Sequence, residues 1–210
     1  MIRVLIADDH AILRRGLSDI ISETKDMQVC GEAENGAQAV RVAREQPVDV
    51  VLLDITMPDR NGLDTLKQLK KEKPKLAVLM LSMHPEEIYA LRAIKAGASG
   101  YLNKASAPAL LITAIRQVAS GRRYISPAVA EALAGTIADG SDGAPHATLS
   151  DREYETMRLI ASGKTLTQIA ADMSLSVKTV SVYRARLLQK MNLKNNSELT
   201  HYALKNQLVD

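Results

Sequence analysis

Apolar positions in the first 120 or so residues fall into two alternating patterns. Short unbroken runs rich in Val, Ile and Leu at 4–7, 29–33, 48–55, 77–82 and 100–103 predict strands buried on both faces, since a strand with one wet face would alternate. Between these runs, apolar residues spaced along one helical stripe predict helices at 12–21, 37–45, 63–71, 86–96 and 110–119. Pro85 and Pro108 suit first-turn positions, and Gly97 and Gly121 suit helix ends. Five such βα repeats predict an α/β doubly wound (βα)5 domain, a parallel sheet with helices on both sides. Ligands of that architecture sit beyond the carboxyl ends of the strands, where the strand order reverses.

The pattern then changes. Ser126-Pro127 opens a short Ala-rich helix to about Ala138, and Asp139-Gly140-Ser141-Asp142-Gly143-Ala144-Pro145-His146 holds nothing that could build a core. From Ser150 onward strand signals vanish and four helical segments predict a small all-α domain. The chain therefore divides into a first domain at 1–124, a helix and flexible linker at 125–148, and a second domain at 149–210.

Composition supports this division without adding to it. A length of 210 residues accommodates two small cores, and 46% hydrophobic with 24% charged residues excludes a disordered chain. Phe and Trp are absent, so Leu, Ile, Val, Ala and Met must build the cores, with six Tyr as the only aromatic residues. Cys30, the single cysteine, excludes an intramolecular disulfide or a cysteine-based metal site, and its neighbours Val29 and Gly31 predict a buried strand position. The opening Met1-Ile2-Arg3-Val4-Leu5-Ile6-Ala7-Asp8-Asp9 is too short for a membrane span and unlike a signal peptide, which predicts a cytoplasmic protein with no membrane partner.

Chemistry gathers at the predicted strand ends. Asp8 and Asp9 close the first strand, Asp54 lies at the end of the third, Ser82 ends the fourth and Lys104 follows the fifth, so all converge on one rim. Three carboxylates there would raise one another's pKa unless a hard dication neutralised them. With no His or Cys expected beside them to favour zinc, Mg²⁺ is the candidate. Ser82 and Lys104 could then hold two oxygens of a phosphoryl group on Asp54. Acids at strand ends are common singly; the combination is what carries weight.

Asp8-Asp9-His10, Leu53-Asp54-Ile55-Thr56-Met57-Pro58 with Gly62, Leu81-Ser82 and Ala96-Gly97-Ala98-Ser99-Gly100-Tyr101-Leu102-Asn103-Lys104 together resemble the response-regulator receiver family across the whole first domain. The resemblance implies that Asp54 accepts a phosphoryl group from a sensor histidine kinase. It implies Mg²⁺ held directly by Asp9, Asp54 and the Thr56 carbonyl, with Asp8 acting through water. It further implies a switch in which Ser82 moves toward the phosphate while Tyr101 reorients. Thr56 and His84 occupy positions that in the family bear on phosphoryl lifetime, and Ala105 stands where many receivers have proline.

In the second domain, Leu149-Ser150-Asp151-Arg152-Glu153 predicts a capping box, with a helix running to about Ala161-Ser162 and stopping at Gly163. A second short helix at 166–173, the turn Ser174-Leu175-Ser176 and a third helix at 177–191 form a helix-turn-helix, whose later helix would enter a DNA major groove. At a hundred degrees per residue Val180, Leu187 and Met191 share one buried stripe, while Lys178, Ser181, Val182, Ala185 and Gln189 share the slim opposite one. Net charge is only +3, but no acid occurs from Met173 through Ser197, so the positive field is local to Lys178, Arg184, Arg186, Lys190 and Lys194.

Leu149-Ser150-x-Arg152-Glu153, Ile169-Ala170 and Ser176-Val177-Lys178-Thr179-Val180-Ser181-x-Tyr183-Arg184-x-Arg186-Leu187 resemble LuxR-type helix-turn-helix domains, and the two halves together resemble the NarL/FixJ family of two-component response regulators. By position, the resemblance implies that Lys178, Thr179 and Lys190 hold backbone phosphates while Ser181, Val182 and Ala185 approach bases, with Arg184 and Arg186 contacting DNA in either role. Tyr183 and Gln168 depart from the family's usual His and Glu. An Asn195-Asn196-Ser197-Glu198 cap opens a fourth helix presenting Leu199, Tyr202, Ala203 and Leu208, with Leu199, Tyr202 and Ala203 implied in dimerisation. The implied partners are a histidine kinase, double-stranded DNA, a second copy on phosphorylation, and RNA polymerase. Two other readings are an aspartate-nucleophile phosphatase using Mg²⁺, for which Thr56 stands where a second Asp is needed, and a constitutive DNA-binding dimer whose receiver is regulated by a partner protein rather than by phosphate.

Overall fold

The computed structural model describes residues 1–57, 61–83, 86–127, 129–131, 134, 145–206 and 208–209. It separates into two compact units, Met1–Ala134 and Gly135–Asp210.

The first unit alternates β1 (Ile2–Ala7), α1 (Ala11–Ser22), β2 (Met27–Ala33), α2 (Gly36–Glu45), β3 (Val50–Asp54), α3 (Gly62–Glu72), β4 (Ala77–Ser82), α4 (Glu86–Lys95), β5 (Gly100–Asn103) and α5 (Pro108–Ala119). All neighbouring strands are parallel, in the order β2-β1-β3-β4-β5. Every residue of β3 and β4 is buried, as their unbroken apolar runs require. Val4, Ile6, Val50, Leu52, Leu79 and Leu81 project to one face and form a core with Leu17 and Ile21 of α1 and Leu111, Ala114, Ile115 and Val118 of α5. The alternate residues Leu5, Val51, Leu53, Val78 and Met80 are equally buried on the other face, where α2, α3 and α4 lie.

Cys30 departs from expectation. β2 is an edge strand, so Cys30 is half-buried rather than sealed, and burial still pushes its thiol pKa up. Pro108 takes the first turn of α5, and Gly97 and Gly121 adopt positive φ of 100° and 82° beyond α4 and α5. The expectations at Pro85 and His84, and along the linker to residue 144, lie outside the described residues, as does part of the helix expected at 127–138.

The second unit contains a 3₁₀ turn (Pro145–Thr148) and four helices, α6 (Asp151–Ala161), α7 (Leu166–Asp172), α8 (Val177–Lys190) and α9 (Asn196–Lys205). Ser150 and Glu153 close the capping box on α6, Thr165 and Gln168 another on α7, while Ser176 and Asn195 cap α8 and α9. Each such cap is worth about 1 kcal/mol. The 3₁₀ turn lies in the segment expected as linker, and there His146 Nδ1 is 2.8 Å from the Tyr202 hydroxyl, so this end of the segment packs on the second unit.

Gly62 controls how closely α3 approaches the end of β3. A Cβ there would lie 2.0 Å from the Asp54 carbonyl oxygen and 2.8 Å from the Ile55 Cα, both backbone atoms that cannot step aside. Gly16, inside α1, has nothing within 4 Å of the same position. We expect Gly62→Ala to destabilise the fold by about 1–3 kcal/mol through overpacking. Gly16→Ala should instead stabilise it by about 0.5–1 kcal/mol through helix propensity. Urea unfolding of the two variants checks both signs.

Candidate functional site

The strand order reverses between β1 and β3, and their carboxyl ends carry Asp8 and Asp54 side by side. Both are almost fully buried, as is Ser82 at the end of β4. Lys104, following β5, brings its ammonium to 2.6 Å from Asp8 Oδ2 and 2.8 Å from Asp54 Oδ2, with its side chain only 4% exposed. Its own N–H donates to the Ser82 carbonyl at 2.8 Å, tying the β5 loop to the end of β4. The sequence expected these residues to converge, and they do.

Asp9 is exposed at the mouth of the pocket. Thr56 is also exposed, and its N–H donates to Asp54 Oδ1 at 3.3 Å. Tyr101 lies fully buried on β5. No cis peptide is found among the described residues, Lys104-Ala105 included, and the Ala105 N–H donates to Asn103 Oδ1.

One expectation is overturned. The acids were expected to lack a nearby histidine, yet His10 Nδ1 stands 2.9 Å from Asp9 Oδ1 and 3.2 Å from Asp8 Oδ1. Chain adjacency was the available signal, since His10 follows Asp9 directly, but the direction of the ring depends on the turn. Asp8, Asp9, His10 and Asp54 place one ligand atom each within 4.8 Å of one another. Sequence reasoning also missed Arg14. Its buried guanidinium donates to the Asp8 carbonyl at 2.7 Å, to Glu34 at 2.8 Å and to Glu32 at 3.3 Å, fixing the β1–α1 turn from behind.

Three carboxylates around one ammonium leave an excess of two negative charges when all are ionised, which suits a divalent cation. Oxygen donors from Asp8, Asp9 and Asp54 fit Mg²⁺. Burial pushes the Asp54 pKa up from 3.8 to about 6, with Lys104 pulling against it and Asp8 adding to it. An uncompensated Asp54 is thus a cost to the folded protein at neutral pH.

In the second unit, Val180 and Leu187 are fully buried and Met191 nearly so, while Lys178, Ser181, Val182, Ala185 and Gln189 are exposed, as the helical spacing predicted. Arg186 is also exposed. Thr179 is half-buried, with its hydroxyl 2.8 Å from that of Ser176. Two basic residues have partners that local spacing could not reveal. Arg184 donates to Asn196 Oδ1 at 2.7 Å, and Lys190 pairs at 2.7 Å with Glu153, whose side chain is 4% exposed. The residues implied in dimerisation lie on α9. Leu199 and Ala203 are wholly buried in their own unit, where α9 packs on α6, and Tyr202 is half-buried against His146. Ser197 and Leu204 are exposed on the same helix.

The first unit is thus a phosphoacceptor-type α/β fold and the second a helix-turn-helix. Residues 4–116 match the response regulator receiver domain, and residues 147–203 match the bacterial regulatory proteins of the luxR family. The response regulator UvrY of Escherichia coli strain K12 is 38% identical over 211 residues, spanning 100% of this chain and 97% of its own. The response regulator GacA of Pseudomonas aeruginosa is 35% identical over 211 residues, spanning 100% and 99%. Among solved structures, RcsB from Salmonella enterica serovar Typhimurium, bound to promoter rprA with the phosphomimetic BeF3⁻, is 25% identical with a TM-score of 0.65, covering 96% of this chain and 97% of that one. The chain belongs to the two-component response regulators of the NarL/FixJ type, in which a receiver that accepts phosphate is linked to a LuxR-type DNA-binding domain. Among the described residues, no helix is long and apolar enough to cross a membrane.

The raised Asp54 pKa sets a pH dependence whose sign is fixed. Between about 4 and 6 the folded state holds more protons than the unfolded state, so Asp54 lowers stability as pH rises through that window. Without divalent cations, Asp54→Asn should therefore be more stable than the parent at pH 8, by on the order of 1–3 kcal/mol, and no more stable at pH 4. Thermal unfolding in EDTA at both pH values measures the difference.

Proposed function

We propose that this protein is a cytoplasmic transcriptional regulator whose sequence-specific DNA binding is controlled by phosphorylation of Asp54 from a sensor histidine kinase. The observation that carries the reading is the Lys104 ammonium, buried between Asp8 and Asp54 where the strand order reverses. The functional division is a receiver at 1–124, a helix and linker at 125–148, and a DNA-binding domain at 149–210.

In this reading Asp54 attacks the phosphoryl group of the kinase phosphohistidine: a carboxylate oxygen forms the new P–O bond as the P–N bond breaks, and the electron pair leaves with the imidazole. Asp9, Asp54 and the Thr56 carbonyl would hold Mg²⁺ directly, and Asp8 would act through water. The ion supplies charge neutralisation for the incoming phosphoryl oxygens. Lys104 and Ser82 take two of those oxygens. For Lys104 this means exchanging a carboxylate partner for phosphate, and that exchange is the physical start of the switch. Tyr101, beside Leu102 on β5, carries the change toward α4.

On DNA, Lys178, Thr179 and Lys190 meet phosphates while Ser181, Val182 and Ala185 face base edges, with Arg184 and Arg186 beside them. Because Lys190 and Arg184 have intramolecular partners, Lys178 and Arg186 carry more of the electrostatic term. Phosphorylation favours a homodimer on paired half-sites, from which RNA polymerase is engaged.

Two measurements test this. Intact mass after incubation with acetyl phosphate and Mg²⁺ should show one added phosphoryl group in the parent and none in Asp54→Asn, and the same treatment should tighten DNA binding only in the parent. Equal tightening in both would reject the reading. Lys178→Ala should weaken binding to all DNA sequences and reduce the slope of log affinity against log salt by about 1.

A further inference from the structure

His10 occupies the N-cap position of α1, with φ −85° and ψ 102°, yet its side chain makes no capping hydrogen bond. That position usually selects Ser, Thr, Asp or Asn because their oxygens can accept from the first turn. Here the backbone serves instead: the His10 N–H donates to Asp8 Oδ1 at 2.9 Å, and the His10 carbonyl accepts from the Arg14 N–H at 3.0 Å. Both links hold the turn so that the imidazole swings away from the helix and toward the acids.

The resulting spacing suits a shared ion. A dication about 2.1 Å from each donor in octahedral geometry separates adjacent donors by about 3.0 Å and opposite donors by about 4.2 Å. His10 Nδ1 lies 2.9 Å from Asp9 Oδ1, an adjacent-donor distance, and 3.2 Å from Asp8 Oδ1, which would reach the ion through water. The ligand atoms of all four residues fall within 4.8 Å of one another, wider than the opposite-donor span, so the fit to one ion rests on the His10–Asp9 pair. The ring is 67% exposed, so it can adjust without disturbing the core.

We propose that His10 is a nitrogen donor to the cation of this pocket and shifts its preference from Mg²⁺ toward first-row transition dications such as Mn²⁺. The inference rests on the pocket being the cation site of the phosphoacceptor. Carboxylates alone form a hard oxygen set in which Mg²⁺ competes well; an imidazole adds little for Mg²⁺ and more for first-row transition dications, Mn²⁺ gaining the least of them. Which ion loads Asp54 for phosphorylation then depends on metal supply as well as on the kinase.

The test uses the full chain with Mg²⁺ alone and Mn²⁺ alone. Free Mn²⁺ is followed by its electron paramagnetic resonance signal, and Mg²⁺ by competition. In His10→Ala, Mn²⁺ affinity should fall about tenfold while Mg²⁺ affinity changes less than about twofold. Pulsed resonance on bound Mn²⁺ should show ¹⁴N coupling in the parent and none in the variant. Equal loss for both ions, no loss for either, or absence of ¹⁴N coupling in the parent would overturn the proposal and leave His10 as a hydrogen-bond partner of Asp9. Asp9→Asn and Asp54→Asn separate this failure from a deeper one. If they abolish binding of both ions while His10→Ala changes neither, only the role of His10 is wrong; if they too leave binding unchanged, the cation site itself lies elsewhere. Circular dichroism of each variant confirms that the fold persists.

Discussion

A buried ammonium held between two buried carboxylates organises the first unit. Lys104 follows β5, while Asp8 and Asp54 lie at the ends of β1 and β3, so the contact exists only when β1, β3, β4 and β5 are correctly paired and in register. A buried ion pair repays its desolvation poorly unless further polar groups support it. That support comes from outside the triad: Arg14 grips the Asp8 carbonyl, the Thr56 N–H reaches Asp54, and the Lys104 backbone is tied to Ser82.

The imbalance of that cluster explains why it is a site and not merely a structural bridge. One ammonium cannot neutralise three carboxylates, and burial keeps Asp54 reluctant to ionise. Such a pocket is at rest only when a dication or a proton offsets the excess negative charge. The same economy governs the second unit in reverse. Basic charge is concentrated on α8, but Lys190 is drawn to the buried Glu153 and Arg184 to Asn196, leaving Lys178 and Arg186 facing solvent.

Much of this was legible in the residues themselves. Five strands and their helices followed from apolar runs and spacing, and observed ends differ by a residue or two at most elements. The caps at Ser150, Ser176 and Asn195 could be read directly, because a cap depends on groups within three residues of each other. Asp8, Asp54, Ser82 and Lys104 were found because strand ends of a parallel sheet share one rim. Errors arose where the outcome depended on packing. Cys30 is only half-buried because β2 lies at the sheet edge, and His10 stands against the acids because the turn after β1 directs its ring there.

By itself, then, the amino-acid order determined the alternation of strands and helices, the boundaries set by local capping and glycine, and the kinds of chemical group brought to the strand ends. Those features follow from interactions a few residues apart or from the two repeating geometries of the backbone. Only the tertiary structure decided the direction of the His10 ring, the clamp of Arg14 on the first turn, and the need for Gly62 against the Asp54 carbonyl. It alone decided, too, which α8 cations are engaged at home. Each of these depends on distances between atoms far apart in the chain, and such distances are set by packing rather than by spacing along the sequence.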